Sequence, residues 1–275
     1  MDLGVRDRSY LIVGGTAGMG FAAAQVLAAD GGRVAVVGRD AERAMAAARR
    51  IADPATAAAG HSAGPTATAI VGDVSQPGEA ERVVAEAAEA LGTIDGVAVT
   101  TGTSRAAHSL LRDADDAVWT EAFDDVLMGT VRVVRAALPH LVAAGGGTVV
   151  TTAAYSIRAY HPERLPYVVM KSGVAAFTKT IARDYGRQGV RANCVCPGAI
   201  ETEGLAALRH QLAQARGVPP AGLLERVMVE EWHLDVALGR PGTPEEVGEL
   251  FAFLLSPRAG YLTGAVINID GGTAF

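Results

Sequence analysis

Seven short runs rich in apolar and β-branched residues recur along the chain, and stretches of helical length, several of them rich in alanine, separate them. The runs are YLIVGG (10–15), RVAVVG (33–38), TATAIVGDV (66–74), DGVAVTTG (95–102), GTVVTT (147–152), VRANCVC (190–196) and AVINID (265–270). Strands that are apolar almost throughout need cover on both faces, and parallel strands need long crossovers, so strand alternating with helix predicts a doubly wound α/β fold with a parallel sheet between two helical layers. Hydrophobic residues make up 49% of the 275 positions and charged residues 20%, enough apolar material for a large core. No linker-like stretch divides the chain, so 1–275 is read as one domain.

The formal net charge of −6 argues against a general nucleic-acid or anionic-membrane surface and leaves small ligands as the expected partners. No continuous apolar run approaches the roughly 18 to 20 residues of a membrane span, and MDLGVRDRSY at the start lacks the apolar centre of a signal peptide. A cytoplasmic location is therefore expected. The two cysteines, Cys194 and Cys196, are expected to point to opposite faces of their strand as buried inert thiols, with no disulfide or zinc knuckle.

Two regions are irregular. DPATAAAGHSAGPT (53–66) reads as a surface loop. Between Glu203 and Arg240, Leu205, Leu208 and Leu212, then Leu223, Leu224, Val227 and Met228, predict two short helices split by GVPPAG, and the segment reads as a lid. Thr243-Pro244-Glu245-Glu246 then supplies an N-cap, a first-turn proline and a glutamate at the third position, predicting a helix start.

After the first strand, Gly14, Gly18 and Gly20, with Thr16 and Met19 among them, lead into an alanine-rich helix. Glycines let backbone N–H groups approach a pyrophosphate, whose charge is favoured at a helix N-terminus, so this turn is a candidate dinucleotide site. The second strand ends in Gly38-Arg39, 19 residues beyond Gly20, where such folds read the ribose 2′ position. Gly38 offers no carboxylate for a free hydroxyl, whereas Arg39 matches a 2′-phosphate, so NADP is expected over NAD.

Tyr167 and Lys171 stand four apart in a segment of helical pattern, YVVMKSGVAAFTKTIARDYG, so both emerge on one face. A phenol of pKa about 10 is a poor base at neutral pH, and lowering it by ~3 units takes roughly 4 kcal/mol, which a neighbouring ammonium assisted by a cationic nicotinamide is expected to supply. Such a tyrosine exchanges a proton with an alcohol or carbonyl oxygen while a cofactor moves hydride.

These pieces together resemble the short-chain dehydrogenase/reductase family over nearly the whole chain. They are Gly14-x-x-x-Gly18-x-Gly20, Asp73-Val74, Gly102, RAALPHL in the long fourth helix, Tyr167 with Lys171, VRANCVCPGAIET and YLTGAVINIDGG. The resemblance implies that Asp73 and Val74 border the adenine, that Thr101 and Gly102 lie along the cofactor, and that Tyr167 is the proton donor or acceptor. It also implies that Lys171 holds the nicotinamide ribose and that Pro197, Gly198, Ile200 and Thr202 line the nicotinamide and its phosphates. It implies a homodimer or homotetramer built on long helices at roughly 120–144 and 165–186 and on the last strand.

The departures from the family pattern bear on mechanism. Val13-Gly14 replaces its Thr-Gly opening, Val99-Thr100-Thr101-Gly102 its Asn-Asn-Ala-Gly, and register from Trp119 puts Val126 where it has a catalytic Asn. The family serine, 13 residues before the tyrosine, falls on Ala154. Ser156 or Thr152 is a replacement hydroxyl if the loop shifts register, with Ser156 favoured because the following IRAYHPERLP is irregular. The third alternative is that nothing replaces it, at a cost of ~10²- to 10³-fold in rate. Tyr155, Tyr160 and His161 read as wall residues of the same site, and Trp232-His233 as a pocket cover or as core. The six histidines show no paired ligand spacing, and the adjacent pairs Asp115-Asp116 and Asp124-Asp125 are expected to face water.

The resulting expectation is an NADP-preferring oxidoreductase interconverting a ketone and a secondary alcohol, with a small apolar substrate of ring or acyl type. The altered serine and asparagine positions leave two alternatives: non-redox chemistry such as dehydration or cyclisation, or a cofactor-binding scaffold of low turnover.

Overall fold

A computed structural model describes residues 2–53, 66–102, 109–160, 162–232 and 234–274. All seven apolar runs form strands: β1 (Ser9–Val13), β2 (Arg33–Gly38), β3 (Thr66–Val71), β4 (Gly96–Val99), β5 (Gly147–Thr152), β6 (Val190–Pro197) and β7 (Val266–Ile269). They pair in parallel in the order β3-β2-β1-β4-β5-β6-β7. The helices are α1 (Gly18–Ala29), α2 (Ala41–Ile51), α3 (Glu79–Leu91), α4 (Asp116–Ala122), α5 (Gly129–Ala143), α6 (Leu165–Tyr185), α7 (Glu203–Arg216), α8 (Leu223–Glu230) and α9 (Pro244–Leu255).

Residues alternate across each central strand, and both sets are buried. Tyr10 and Ile12 of β1 join α1, α2 and α9 in one core, around Leu27, Ile51 and Phe251. Leu11 and Val13 join α3 and α5 in the other, around Val83, Val84 and Leu141. That two-sided burial is why the strands read as continuous apolar runs, each fully buried aliphatic side chain contributing ~1.5 to 3 kcal/mol. The order reverses between β1 and β4, and the crevice at the carboxyl ends of these two strands is where such sheets bind ligands.

Strand geometry corrects the cysteine expectation. Side chains two apart share a face, and Cys194 and Cys196 lie together in one buried cluster with Ala153 and Val174, both as free thiols. The membrane expectation also changes. Although charges interrupt its apolar residues, the continuous helical stretch Asp116–Ala143 has a window of mean hydropathy 1.4 and is long enough by length and composition to cross a bilayer. Here its α5 part packs against α3 and the sheet, as a core helix does.

Within that stretch Phe123–Met128 is wound as a π-helix, between α4 and α5. The helix expected at 120–144 thus starts earlier and is interrupted, while α6 matches its expected span closely. The stretch 54–65 lies outside the described residues. α7 and α8 form on either side of GVPPAG as expected, and the ends of this segment are tied where Glu201 N–H donates to the Gly242 carbonyl at 2.8 Å and Gly242 N–H to that of Ala199 at 2.9 Å. The start of α9 carries the expected capping box: Thr243 Oγ1 accepts from Glu246 N–H, and the Glu246 carboxylate accepts from Thr243 N–H.

Candidate active site

The first strand runs straight into its glycine turn. Gly14 has φ +85°, and a Cβ there would lie 2.6 Å from Thr100 Oγ1; one on Gly20 would lie 2.5 Å from the same atom. Thr100 Oγ1 in turn donates to the Val13 carbonyl at 3.0 Å, so the turn is pinned against the end of β4 with no room for side chains. The N-cap of α1, Ala17, provides no side-chain acceptor, which leaves the first backbone N–H groups of the helix for a ligand. A cleft of about 910 Å³ opens at this turn. Gly14, Thr16, Arg39, Asp73, Val74, Thr101 and Gly102 line it, together with Arg43 and Asp125. At Gly38 a Cβ would come within 2.5 Å of Thr16 Cγ2, so the strand end must stay bare for the wall to close. Asp73 is held by Ser75, whose N–H and Oγ–H both donate to Asp73 Oδ1 at 3.1 and 2.7 Å. These residues fit a dinucleotide: bare backbone and an uncapped helix terminus for the pyrophosphate, and the Arg39 guanidinium in the same wall, together with Arg43, which pairs with Glu203 at 3.0 Å.

A second cleft, of about 370 Å³, shares Thr100 and Thr101 with the first and extends under α7 and α8. Met19, Ser156, Tyr167, Lys171, Pro197, Gly198, Ile200 and Thr202 line it, as do Thr152, Ala154 and Tyr155. Gly18 and Gly20 line neither cleft. They shape the turn instead, with Gly18 close to Thr202 and Gly20 to Thr100. Tyr160 is exposed and lines a separate apolar hollow with Leu111 and Pro162, away from Tyr167 and Lys171, and His161 lies outside the described residues. Trp232 lines the second cleft, and His233 is outside the described residues.

Three features of the second cleft decide its chemistry. Lys171 is buried, its Nζ donating to the Thr152 carbonyl at 2.9 Å and lying 3.4 Å from that of Thr101. Burial pushes its pKa down to about 8, with Cys194 and Asp125 opposing. The ammonium sits over the Tyr167 ring, 5.5 Å from the centroid. The Tyr167 phenol is pushed up to about 12 by burial, and Arg164 is the first charge to oppose that rise. The expected acidification by Lys171 is therefore not what the chain's own groups produce: desolvation outweighs charge and keeps the phenol protonated at neutral pH.

The candidate hydroxyls differ in their hydrogen bonding. Thr152 Oγ1 donates to the Val99 carbonyl at 2.8 Å, and Thr151 Oγ1 lies 2.6 Å from Thr178 Oγ1, so both threonines are engaged in the fold. Ser156 Oγ is fully buried in the cleft lining with no hydrogen-bond partner among the described residues. Val126, at the family's asparagine position, lies buried in the π-helical segment and packs with Trp119, Met170 and Tyr167.

Sequence reasoning missed Arg43, Arg164 and Asp125. Asp125 was expected to face water; it lines the first cleft, and burial raises its carboxyl. Its neighbour Asp124 pairs with Arg132 at 2.7 Å, and Asp115 caps α4 by accepting from Val118 N–H. Arg164 was legible in principle, standing three residues before Tyr167 at a helix start marked by Pro166.

The family model described as Enoyl-(Acyl carrier protein) reductase matches residues 14–274. The 3-oxoacyl-[acyl-carrier-protein] reductase FabG of Chlamydia muridarum is 28% identical over 98% of this chain and 98% of its own. Short-chain reductase protein NovJ of Streptomyces niveus is 32% identical over 95% and 92%. Among solved structures, L-sorbose reductase from Gluconobacter frateurii, complexed with NADPH and L-sorbose, superposes with a TM-score of 0.89 at 27% identity, covering 99% of this chain and 98% of that one. The chain belongs to the short-chain dehydrogenase/reductase family. It is an NAD(P)-dependent oxidoreductase acting on CH–OH and C=O groups.

Proposed function

We propose that this enzyme reduces a ketone to a secondary alcohol, with NADPH preferred and Tyr167 as the proton donor. The observation that carries the reading is that Tyr167, Lys171 and the unpartnered Ser156 hydroxyl line one cleft, which shares Thr100 and Thr101 with the dinucleotide cleft. The nicotinamide supplies hydride when bound. Everything else falls to the chain. A phenol held protonated is in the right state to donate as the carbonyl oxygen becomes an alkoxide, which is far more basic than a phenolate. Lys171, with a pKa near 8, is suited to return a proton to Tyr167 after turnover. Ser156 is the hydroxyl available to donate to the developing oxyanion.

The NADP preference rests on Arg39, which lines the dinucleotide cleft and offers its guanidinium to a 2′-phosphate, with Arg43 in the same lining ion-paired to Glu203 at 3.0 Å. The segment Glu203–Arg240 serves as a lid of the one-domain chain, its Leu205, Leu208, Trp232 and Leu234 supplying apolar wall for a small carbonyl or alcohol substrate. In this reading the protein is cytoplasmic and a homodimer or homotetramer, associating through its long helices and β7, an edge strand half-exposed along its length.

The test is steady-state NADPH oxidation with a panel of ketones. The expected kcat/KM is at least about tenfold higher with NADPH than with NADH, and Arg39→Asp is expected to reverse that order, since lost charge-assisted bonds to a phosphate are worth ~1.5 to 3 kcal/mol. Equal use of both cofactors by the wild type would overturn the preference.

A further inference from the structure

We infer that the cleft around Tyr167 takes a substrate whose far end carries a carboxylate, held by the guanidinium of Arg164: an oxo acid, reduced to the corresponding hydroxy acid. The inference rests on reading this cleft as the site of carbonyl reduction and adds the substrate's charge to it. The lining contains two permanent or near-permanent cations, Lys171 and Arg164, and no aspartate or glutamate. Lys171 is accounted for by its two carbonyl partners.

Arg164 has no comparable partner. Its Nη1 donates one long hydrogen bond, 3.3 Å, to the Tyr155 hydroxyl, and among the described residues it forms no ion pair. In the segment that covers the cleft the arginines are bound differently: Arg209 pairs with Glu201, Arg216 with Glu231 and Arg240 with Glu246. A guanidinium has five N–H donors in a planar fork, and Arg164, half-buried, keeps most of them open to a ligand in the cleft, beside the apolar side chains of Leu205, Leu208, Trp232 and Leu234. A carboxylate matches that fork in bidentate fashion.

Position fixes where on the substrate the acid must be. Arg164 occupies the N-cap position of α6, Tyr167 follows three residues later, and both side chains line the same cleft. The influence of Arg164 on the phenol shows that the two lie within electrostatic reach. A molecule that touches both carries its carboxylate a few bonds from the carbonyl being reduced, with methylenes against the leucine wall between them. Reduction is balanced by one hydride from the nicotinamide to the carbonyl carbon and one proton from Tyr167 to the oxygen. The carboxylate takes no part in bond making.

The experiment compares levulinate and its next two homologues, each against its methyl ester, on wild type and Arg164→Gln, with NADPH affinity measured by fluorescence on both proteins as a check on folding. The expected result is that at least one acid exceeds its ester in kcat/KM by about tenfold or more, mainly through KM, and that Arg164→Gln brings this acid-to-ester ratio to about one, a ratio in which any effect of the lost charge on Tyr167 cancels, while NADPH binding stays as it was. Acids and esters handled alike by the wild type would overturn the inference and leave ketone reduction standing. An equal fall for acid and ester in the variant would also overturn it, because a purely structural role for Arg164 acts on both. If NADPH binds but none of these ketones turns over, the functional reading fails, and calorimetry of the same acids on the NADPH-bound protein decides the inference: binding weakened about tenfold in Arg164→Gln supports it, and no binding, or binding that the variant leaves unchanged, overturns it.

Discussion

A hydroxyl buried without a partner lowers stability unless a ligand uses it, and Ser156 is such a hydroxyl. Ser156→Ala is expected to reduce kcat ~10²-fold, as losing one oxyanion donor does, while leaving the urea midpoint unchanged or slightly higher. Unchanged turnover would remove Ser156 from the mechanism. Lys171 yields a pH signature. Its pKa is held near 8 in the folded protein against an ordinary 10.5, so between those values the unfolded chain binds more protons and stability rises with pH. Relative to Lys171→Met, the wild type should gain ~3 kcal/mol in unfolding free energy between pH 8 and 10.5, a window that meets only at its upper edge the one, from 10 to about 12, in which the raised Tyr167 pKa acts in the opposite sense. Denaturant titrations of both proteins at the two pH values check this. Tyr167 and Lys171 were readable because helical spacing alone puts them on one face. That Thr152 is engaged by the Val99 carbonyl while the Ser156 hydroxyl has no partner among the described residues was not readable, since both depend on how the strand end packs. The phenol's raised pKa was hidden for a similar reason: burial is a property of the packed cleft, and the sequence shows only the nearby cation.

At the scale of elements, the strands and most helices were legible because two-sided burial leaves an unbroken apolar run and helix starts carry caps. What escaped was local geometry. The π-helical turn at Phe123–Met128 has no sequence punctuation, yet it determines where Val126 and Asp125 point: one packs beside Tyr167, the other joins the wall of the dinucleotide cleft. The cysteines were misread because the period of two was applied with the wrong sign. α9 packs tightly on α1, where a Cβ on Gly248 would meet Ala22 Cβ at 2.6 Å and the Ala22 carbonyl carbon at 2.7 Å. Because those atoms are backbone and a short side chain, nothing flexible can yield. Gly248→Ala should therefore destabilise the protein by ~1 to 3 kcal/mol, as overpacking does, and should weaken NADPH binding through α1, whose N-terminus forms the dinucleotide turn. Chemical denaturation and a cofactor titration check both, and a neutral effect on stability would show that the helices can part.

For the molecule as a whole, the reversal of strand order between β1 and β4 creates one crevice with two arms. The dinucleotide cleft spreads over β1 to β3 and the carbonyl cleft over β5 and β6, and they join at Thr100 and Thr101. The sequence revealed this arrangement through the order of its motifs, though not the charge beside Tyr167, because Arg164 stands at the helix start, before the periodic stretch that marks Tyr167 and Lys171. The central claim is that the phenol at this junction hands its proton to the substrate oxygen. It is tested most directly by rapid mixing of wild type and Tyr167→Phe, each preloaded with NADPH, against a ketone the wild type accepts, following loss of the reduced nicotinamide signal in a single turnover. The variant is expected to bind NADPH as tightly as the wild type and to slow the oxidation step by ~10² to 10⁴-fold, the range that general acid catalysis supplies. A variant that oxidises NADPH at the wild-type rate would contradict it.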